Sequence, residues 1–140
     1  MARISSNTVL RKKVSKELVR RVKKVVNNAY APYSGISVGA ALYCANGRIY
    51  TGANIENSSY SLTICAERVA LFKAISEGER NFLLLLLYSP QIDSILPCGA
   101  CLQVFSECAP EIIIATMNKK NEFRFYPLQT LLSKPFKVHK

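Results

Sequence analysis

A chain of 140 residues has the length of one compact domain and can bury about two thirds of its unfolded surface without disulfide or metal staples. Its 49% hydrophobic and 20% charged content is ordinary for a globular protein, and no stretch approaches the ~20 apolar residues of a membrane span. The net charge of +10 is uneven: nine basic residues and one acid, Glu17, fall in positions 1–30, which leaves +2 for positions 31–140.

The opening Met-Ala-Arg-Ile-Ser-Ser lacks the apolar stretch of a secretory signal, so a cytoplasmic location is expected. Val14, Leu18, Val22, Val25 and Ala29 recur at three- and four-residue steps, which predicts an amphipathic helix with Lys and Arg on its outer side. Pro32 disfavours helical geometry at Ala31, so this helix should stop near Tyr30. Its basic face could attract anionic substrates or nucleic acid; the plainer reading is a solvated surface. Residues 36–43 and 48–51 read as strands joined by Ala45-Asn46-Gly47, an Asn-Gly hairpin signal. Positions 54–63 are polar and read as a loop. Residues 65–77 read as a helix closed by Gly78. The apolar run 82–88 suits a strand buried on both faces. Pro97 precedes a helix over 98–108. Strands are expected at 111–116 and 122–126, around Asn118-Lys119-Lys120-Asn121, and Pro127 should open a short helix over 128–132. Helices alternating with strands favour a layered α/β domain with a mixed sheet, and no linker or repeat divides 1–140.

The chemistry lies in the cysteines: Cys44, Cys65, Cys98, Cys101 and Cys108. An odd number without an export signal argues against a disulfide framework and for metal or redox chemistry. His139 is the only histidine and stands next to the last residue, which argues against a histidine-based metal site or a Ser-His triad. Pro97-Cys98-Gly99-Ala100-Cys101 is a C-x-x-C, open on its own to zinc, a redox pair or chance. A thioredoxin-like pair would follow the first strand of a βαβ unit, whereas this one opens the third predicted helix. Free N–H groups and the helix dipole at that position stabilise thiolates, the form that binds metal. Cys65 also stands at a predicted helix start. Three thiolates would leave one tetrahedral position for water, the pattern of a catalytic zinc. Cys44 and Cys108 read as core or half-buried thiols; a closed four-cysteine structural site using one of them is the alternative. Glu67, two residues past Cys65, could accept a proton from water held by the metal and return it to a substrate. The alternative there is a surface glutamate.

Taken together, Pro-Tyr-Ser at 32–34, Val-Gly-Ala-Ala-Leu at 38–42, Asn-Ile-Glu-Asn at 54–57, Cys-Ala-Glu-Arg at 65–68 and Pro-Cys-Gly-Ala-Cys at 97–101 resemble the small homotetrameric zinc-dependent cytidine deaminases. The resemblance spans about Pro32 to Phe136. It implies a three-layer α/β/α sandwich with a five-stranded mixed sheet, and one Zn²⁺ per subunit on Cys65, Cys98 and Cys101. It implies Asn54 and Glu56 on the ribose, the Ala66 N–H on the base carbonyl, and Tyr60 near the sugar of a neighbouring subunit's site. Phe136 would stack on the base across the subunit boundary. The implied reaction is hydrolysis of cytidine and deoxycytidine in pyrimidine salvage, with Glu67 moving a proton to N3 and then to the leaving amine. Three thiolates and Zn²⁺ sum to −1, and Arg68 would draw off that charge.

Two positions depart from the family pattern. Leu102 stands where an Arg usually follows the last cysteine, and Ile36 where an aromatic usually walls the base pocket. Other readings are a deaminase of blasticidin S, which has no need of the ribose-binding segment, or one of single-stranded nucleic acid, which needs an open groove and stacking aromatics. A non-catalytic zinc-stabilised module is the third.

Overall fold

The computed structural model describes Val9 and residues 11–138; His139 lies outside them. Helix α1 spans Lys16–Val25 and begins at Ser15, whose Oγ accepts a hydrogen bond from the Leu18 amide at 3.1 Å. This cap satisfies one of the four amides that a helix start leaves unpaired. The helix tightens into a 3-10 turn over Val26–Asn28, close to the expected stop. Leu18 and Val22 are fully buried, and Val26 rather than Val25 completes the stripe.

The strands are β1 (Gly39–Cys44), β2 (Ile49–Ala53), β3 (Phe82–Tyr88), β4 (Ile113–Met117) and β5 (Phe123–Pro127). Helices α2 (Ala66–Ser76), α3 (Gly99–Cys108) and α4 (Leu128–Leu131) complete the elements. The sheet order is β2-β1-β3-β4-β5, with β3 and β4 parallel and the other neighbours antiparallel. This is the expected five-stranded mixed sheet. One face carries Ala40, Leu42, Leu85, Leu87 and Ile114 against α2 and α3; the other carries Ala41, Leu84, Leu86, Ala115 and Met117, with Leu18 and Val22 of α1. Leu84 to Leu87 of β3 are fully buried, alternating between the two faces, which explains most of its apolar run, while Leu83 near its start is exposed.

Most boundaries shift by one or two residues, and β1 shifts by three for a visible reason. The Asn54 side chain accepts from the Val38 amide at 2.8 Å and donates to the Ile36 carbonyl at 2.8 Å. The Val38 amide and the Ile36 carbonyl are therefore satisfied by an amide side chain instead of a strand partner. The segment read as a loop, 54–63, is also more ordered than expected: Ile55 bridges both Tyr30 and Ile64, and Tyr60–Leu62 forms a 3-10 turn.

The basic face of α1 does structural work at the sheet edge. Arg21 donates to the Ile49 carbonyl at 2.8 Å, and Lys73 of α2 donates to the Thr51 carbonyl. Leu42 and Tyr50 form a bonded pair of the β1–β2 ladder, next to the Cys44–Arg48 bond, so Ile49 and Thr51 turn their carbonyls outward. Cations from both flanking layers thus cover the exposed edge strand. No described helix is long and apolar enough to cross a membrane.

The topology decides where the site lies. Strands β2 and β3 both run antiparallel to β1, so they run in the same direction. Helix α2 follows β2 and helix α3 follows β3, and both pack on the same face of the sheet. Right-handed crossovers of this kind bring two helix N-termini out side by side at the carboxyl ends of parallel strands. Gly52 lets α2 lie flat on β2: a Cβ there would stand 2.4 Å from the Ala66 carbonyl oxygen and 2.6 Å from the Ala70 nitrogen.

Candidate metal centre and active site

Cys65 is the N-cap residue of α2 and Cys98 that of α3, so the side-by-side helix starts carry both sulfurs to one place. Their Sγ atoms are 3.7 Å apart. Cys101, one turn into α3 and fully buried, brings a third, and all three sulfurs lie within 4.8 Å of one another. Among the described residues this is the only such cluster of Cys, His or acidic side chains. Tetrahedral zinc with Zn–S bonds of ~2.3 Å separates its sulfurs by about 3.8 Å, which the Cys65–Cys98 distance matches. The donor set therefore fits zinc and supplies three ligands. Cys44 is buried in β1 with its thiol pushed up to about 11 by burial, and Cys108 stands half-buried at the end of α3. Neither belongs to the cluster, as expected.

One of the sulfurs, Cys65, is poised for ionisation. The Cys65 thiol is lowered to about 5, chiefly by its hydrogen bond with Cys101 and further by Arg68. Cys101 keeps the shared proton and is held above the usual thiol range by that bond and by burial. The Arg68 Nη2 lies 3.7 Å from Cys65 Sγ, while its buried Nε has no partner among the described residues. Two helix N-termini add partial positive charge at the same place.

Glu67 lies in the first turn of α2 and is only 4% exposed. Burial, followed by the Cys65 charge, raises its carboxyl to about 7. A carboxyl with that affinity can both take and release a proton near neutral pH. Together with Cys65, Ala66 and Cys98 it lines a cavity of about 270 Å³, whose apolar wall comes from Ile36, Val38, Ile92, Ile95 and Leu96. No motif marks Ile92, Ile95 and Leu96. Their signal in the sequence is three large apolar residues within five positions of a segment that is neither helix nor strand.

Glu56 stands at the mouth. It accepts from the amides of Tyr33 and Ser34 at 3.0 and 3.1 Å and from the Ser34 hydroxyl at 2.6 Å, and these bonds, the Ser34 hydroxyl foremost, lower its carboxyl below the usual range. Ser34, Glu56 and Thr63 also line an adjoining cavity of about 330 Å³ with Tyr33 and Tyr60. Those two tyrosines meet edge to face, with centroids 5.9 Å apart. Asn54 lines the first cavity, although both ends of its amide are already engaged by residues 36–38. Phe136 is not brought to this cavity and is 73% exposed.

Of the two departures, Ile36 does reach the cavity, as an aliphatic wall. Leu102 does not face the sulfurs. It is buried in the apolar cluster between α3 and the sheet, with Phe105 and Ile114. The cation beside the thiolates is therefore Arg68.

The profile of the cytidine and deoxycytidylate deaminase zinc-binding region matches residues 12–117. Cytidine deaminase of Sporosarcina psychrophila is 43% identical over 121 residues, 86% of this chain and 89% of the relative. Cytidine deaminase of Halalkalibacterium halodurans is 47% identical over 93 residues, covering 66% and 70% of the two chains. The crystal structure of cytidine deaminase from Burkholderia pseudomallei superposes with a TM-score of 0.81 at 38% identity, across 86% of this chain and 97% of that one. With an α/β fold, a cluster of sulfurs suited to zinc and relatives matched over most of their length, this chain belongs to the zinc-binding cytidine and deoxycytidylate deaminase family.

Proposed function

We propose that the chain hydrolyses the 4-amino group of cytidine and deoxycytidine, giving uridine or deoxyuridine and ammonia. The observation that carries this reading is a buried carboxyl, Glu67, sharing one cavity wall with Cys65 and Cys98. Cys65, Cys98 and Cys101 would hold one zinc ion per chain. When bound, zinc supplies a water acidic enough to lose a proton near pH 7. Glu67 accepts that proton on its carboxylate and gives it to N3 of the base. Once the water oxygen has bonded to C4, the Glu67 carboxylate takes the second proton from that new hydroxyl and passes it to the amine, so that the C4–N bond breaks to release ammonia and C4 keeps the oxygen as a carbonyl. The Ala66 N–H, unpaired at the first turn of α2, donates to the base carbonyl. Arg68 offsets the negative charge of the three thiolates.

The two adjoining cavities favour a nucleoside over a free base. Ser34, Glu56 and Thr63 line both, so a base in the inner cavity and a sugar in the outer one would meet Glu56 at the junction. Asn54 keeps a second amide hydrogen for a sugar hydroxyl. Tyr60 and Phe136, exposed in one copy, would complete a neighbour's site in a homotetramer of single-domain chains. Tyr30, Tyr33, Ile55 and Leu62 are exposed, and Ile55 and Leu62 directly neighbour Glu56 and Thr63 in the chain; apolar surface there supports such an assembly. Reduced cysteines suit a cytoplasmic role in pyrimidine salvage.

The test is ammonia release from cytidine, deoxycytidine, cytosine, CMP and blasticidin S, with sedimentation of the same sample. Both nucleosides should turn over, and cytosine, which cannot engage Glu56, should fall by about 100-fold or more in kcat/KM. Turnover of blasticidin S alone would reject the assignment. Replacing Arg68 with Gln should lower kcat by about 10–100-fold through loss of support to the thiolates. Its melting temperature should stay near that of the parent, and undiminished kcat would remove Arg68 from the mechanism.

A further inference from the structure

Among the described residues, the side-chain hydrogen bonds that reach Phe136 come from one residue. Gln103, in α3 two residues past Cys101, donates from Nε2 to the Phe136 carbonyl at 2.9 Å and accepts the Phe136 amide on Oε1 at 3.0 Å. The orientation of this amide is forced, because a backbone N–H can only donate and a carbonyl only accept. The bonds span 33 positions of sequence. They hold both polar groups of a single residue, as a strand neighbour would. Pro135 fixes the torsion just before that point. The backbone is thus pinned while Phe136 as a whole remains 73% exposed.

We infer that Gln103 is a positioning residue: it fixes the C-terminal segment to the cysteine-bearing helix so that Phe136 presents its ring in one orientation to the base held by a second copy. This rests on the reading that Phe136 covers a neighbour's base. A ring on a loose tail would have to be ordered at each binding event, which weakens affinity. A ring already held loses less, so Gln103 acts on substrate binding and leaves the proton-transfer step to Glu67. The anchor also ties two places in one chain, since the helix that offers Cys98 and Cys101 to its own site orients the ring offered to the next.

The chain has no tryptophan, so Phe136→Trp introduces a lone reporter at the ring position. In that background Gln103→Met, which keeps length and removes both hydrogen bonds, should lower the emission anisotropy and increase quenching by acrylamide. With the natural Phe136, Gln103→Met should raise KM for cytidine about tenfold and change kcat less than about threefold. In a Phe136→Ala background it should add nothing, because the two residues act through one contact. Gln103→Glu keeps an acceptor for the Phe136 amide but sets a carboxylate oxygen against the Phe136 carbonyl, so it should raise KM no less than Gln103→Met, and it guards against a folding defect in the Met variant. Unchanged anisotropy, or a KM effect that persists in full without the Phe136 ring, overturns the inference. If Phe136→Ala leaves KM unaltered, the base-covering reading fails on its own, and the anisotropy still decides whether Gln103 holds the segment.

Discussion

Glu67→Gln is expected to lower kcat for cytidine by about 10³–10⁴-fold while the protein still folds and still takes up one zinc per chain. Glutamine keeps the volume and the hydrogen-bonding reach of the side chain but cannot carry a proton between water and substrate. The site favours such a clean outcome. Glu67 is 4% exposed, and its carboxyl is raised to about 7 because ionising it there means charging a group withdrawn from water. A neutral amide avoids that penalty, so the melting temperature of the variant should equal or exceed that of the parent. The three sulfurs are untouched, so metal content measured by elemental analysis should be the same. A zinc-stabilised module without catalysis predicts the opposite pattern, with no activity in either protein and nothing for Glu67 to change. Loss of zinc together with activity would show instead that Glu67 supports the metal, and the proton-carrier role would have to be withdrawn.

The parts of this site that the sequence exposes are those written in local spacing. Cys65 and Glu67 fall within one helical turn, as do Cys98 and Cys101, and each pair opens a helix whose start is marked by the residues around it. The strand over Phe82–Tyr88 is equally legible, because burial on both faces over Leu84 to Leu87 leaves no polar position there. Leu102 was within reach of the same logic. It lies four residues after Cys98 and three before Phe105, on the stripe of α3 that faces the sheet, so its side chain packs in the core. What could not be read is what depends on distant partners. Asn54 looks like a loop residue until its side chain is seen supporting residues 36–38. The Ser34 amide holds the Glu56 carboxylate across 22 positions, and Gln103 holds the Phe136 backbone across 33. Side chain-to-backbone bonds of this kind leave no periodic trace, since any polar residue in the right place could make them.

Cys101→Ser should reduce bound zinc from one per chain to about a tenth of that or less and abolish measurable turnover, a far greater loss than its packing cost. The substitution exchanges sulfur for oxygen at nearly constant shape, so the core around the fully buried Cys101 is barely disturbed. The hydroxyl does not ionise as a thiol does, and the soft ligand is lost. Metal affinity contributes to folding whenever the unfolded chain lacks the assembled site. Chelation should therefore lower the melting temperature of the parent and leave that of Cys101→Ser in place. Cys44→Ser and Cys108→Ser serve as controls: their sulfurs stand apart from the cluster, and both variants should keep a full complement of zinc and its response to chelator. Cys44→Ser alone should cost stability on its own account, by about 1–3 kcal/mol, because it buries a hydroxyl within an apolar strand. A Cys101→Ser protein that retained one zinc per chain would mean that the metal sits on other ligands, and the convergence of the two helix starts would then need another purpose.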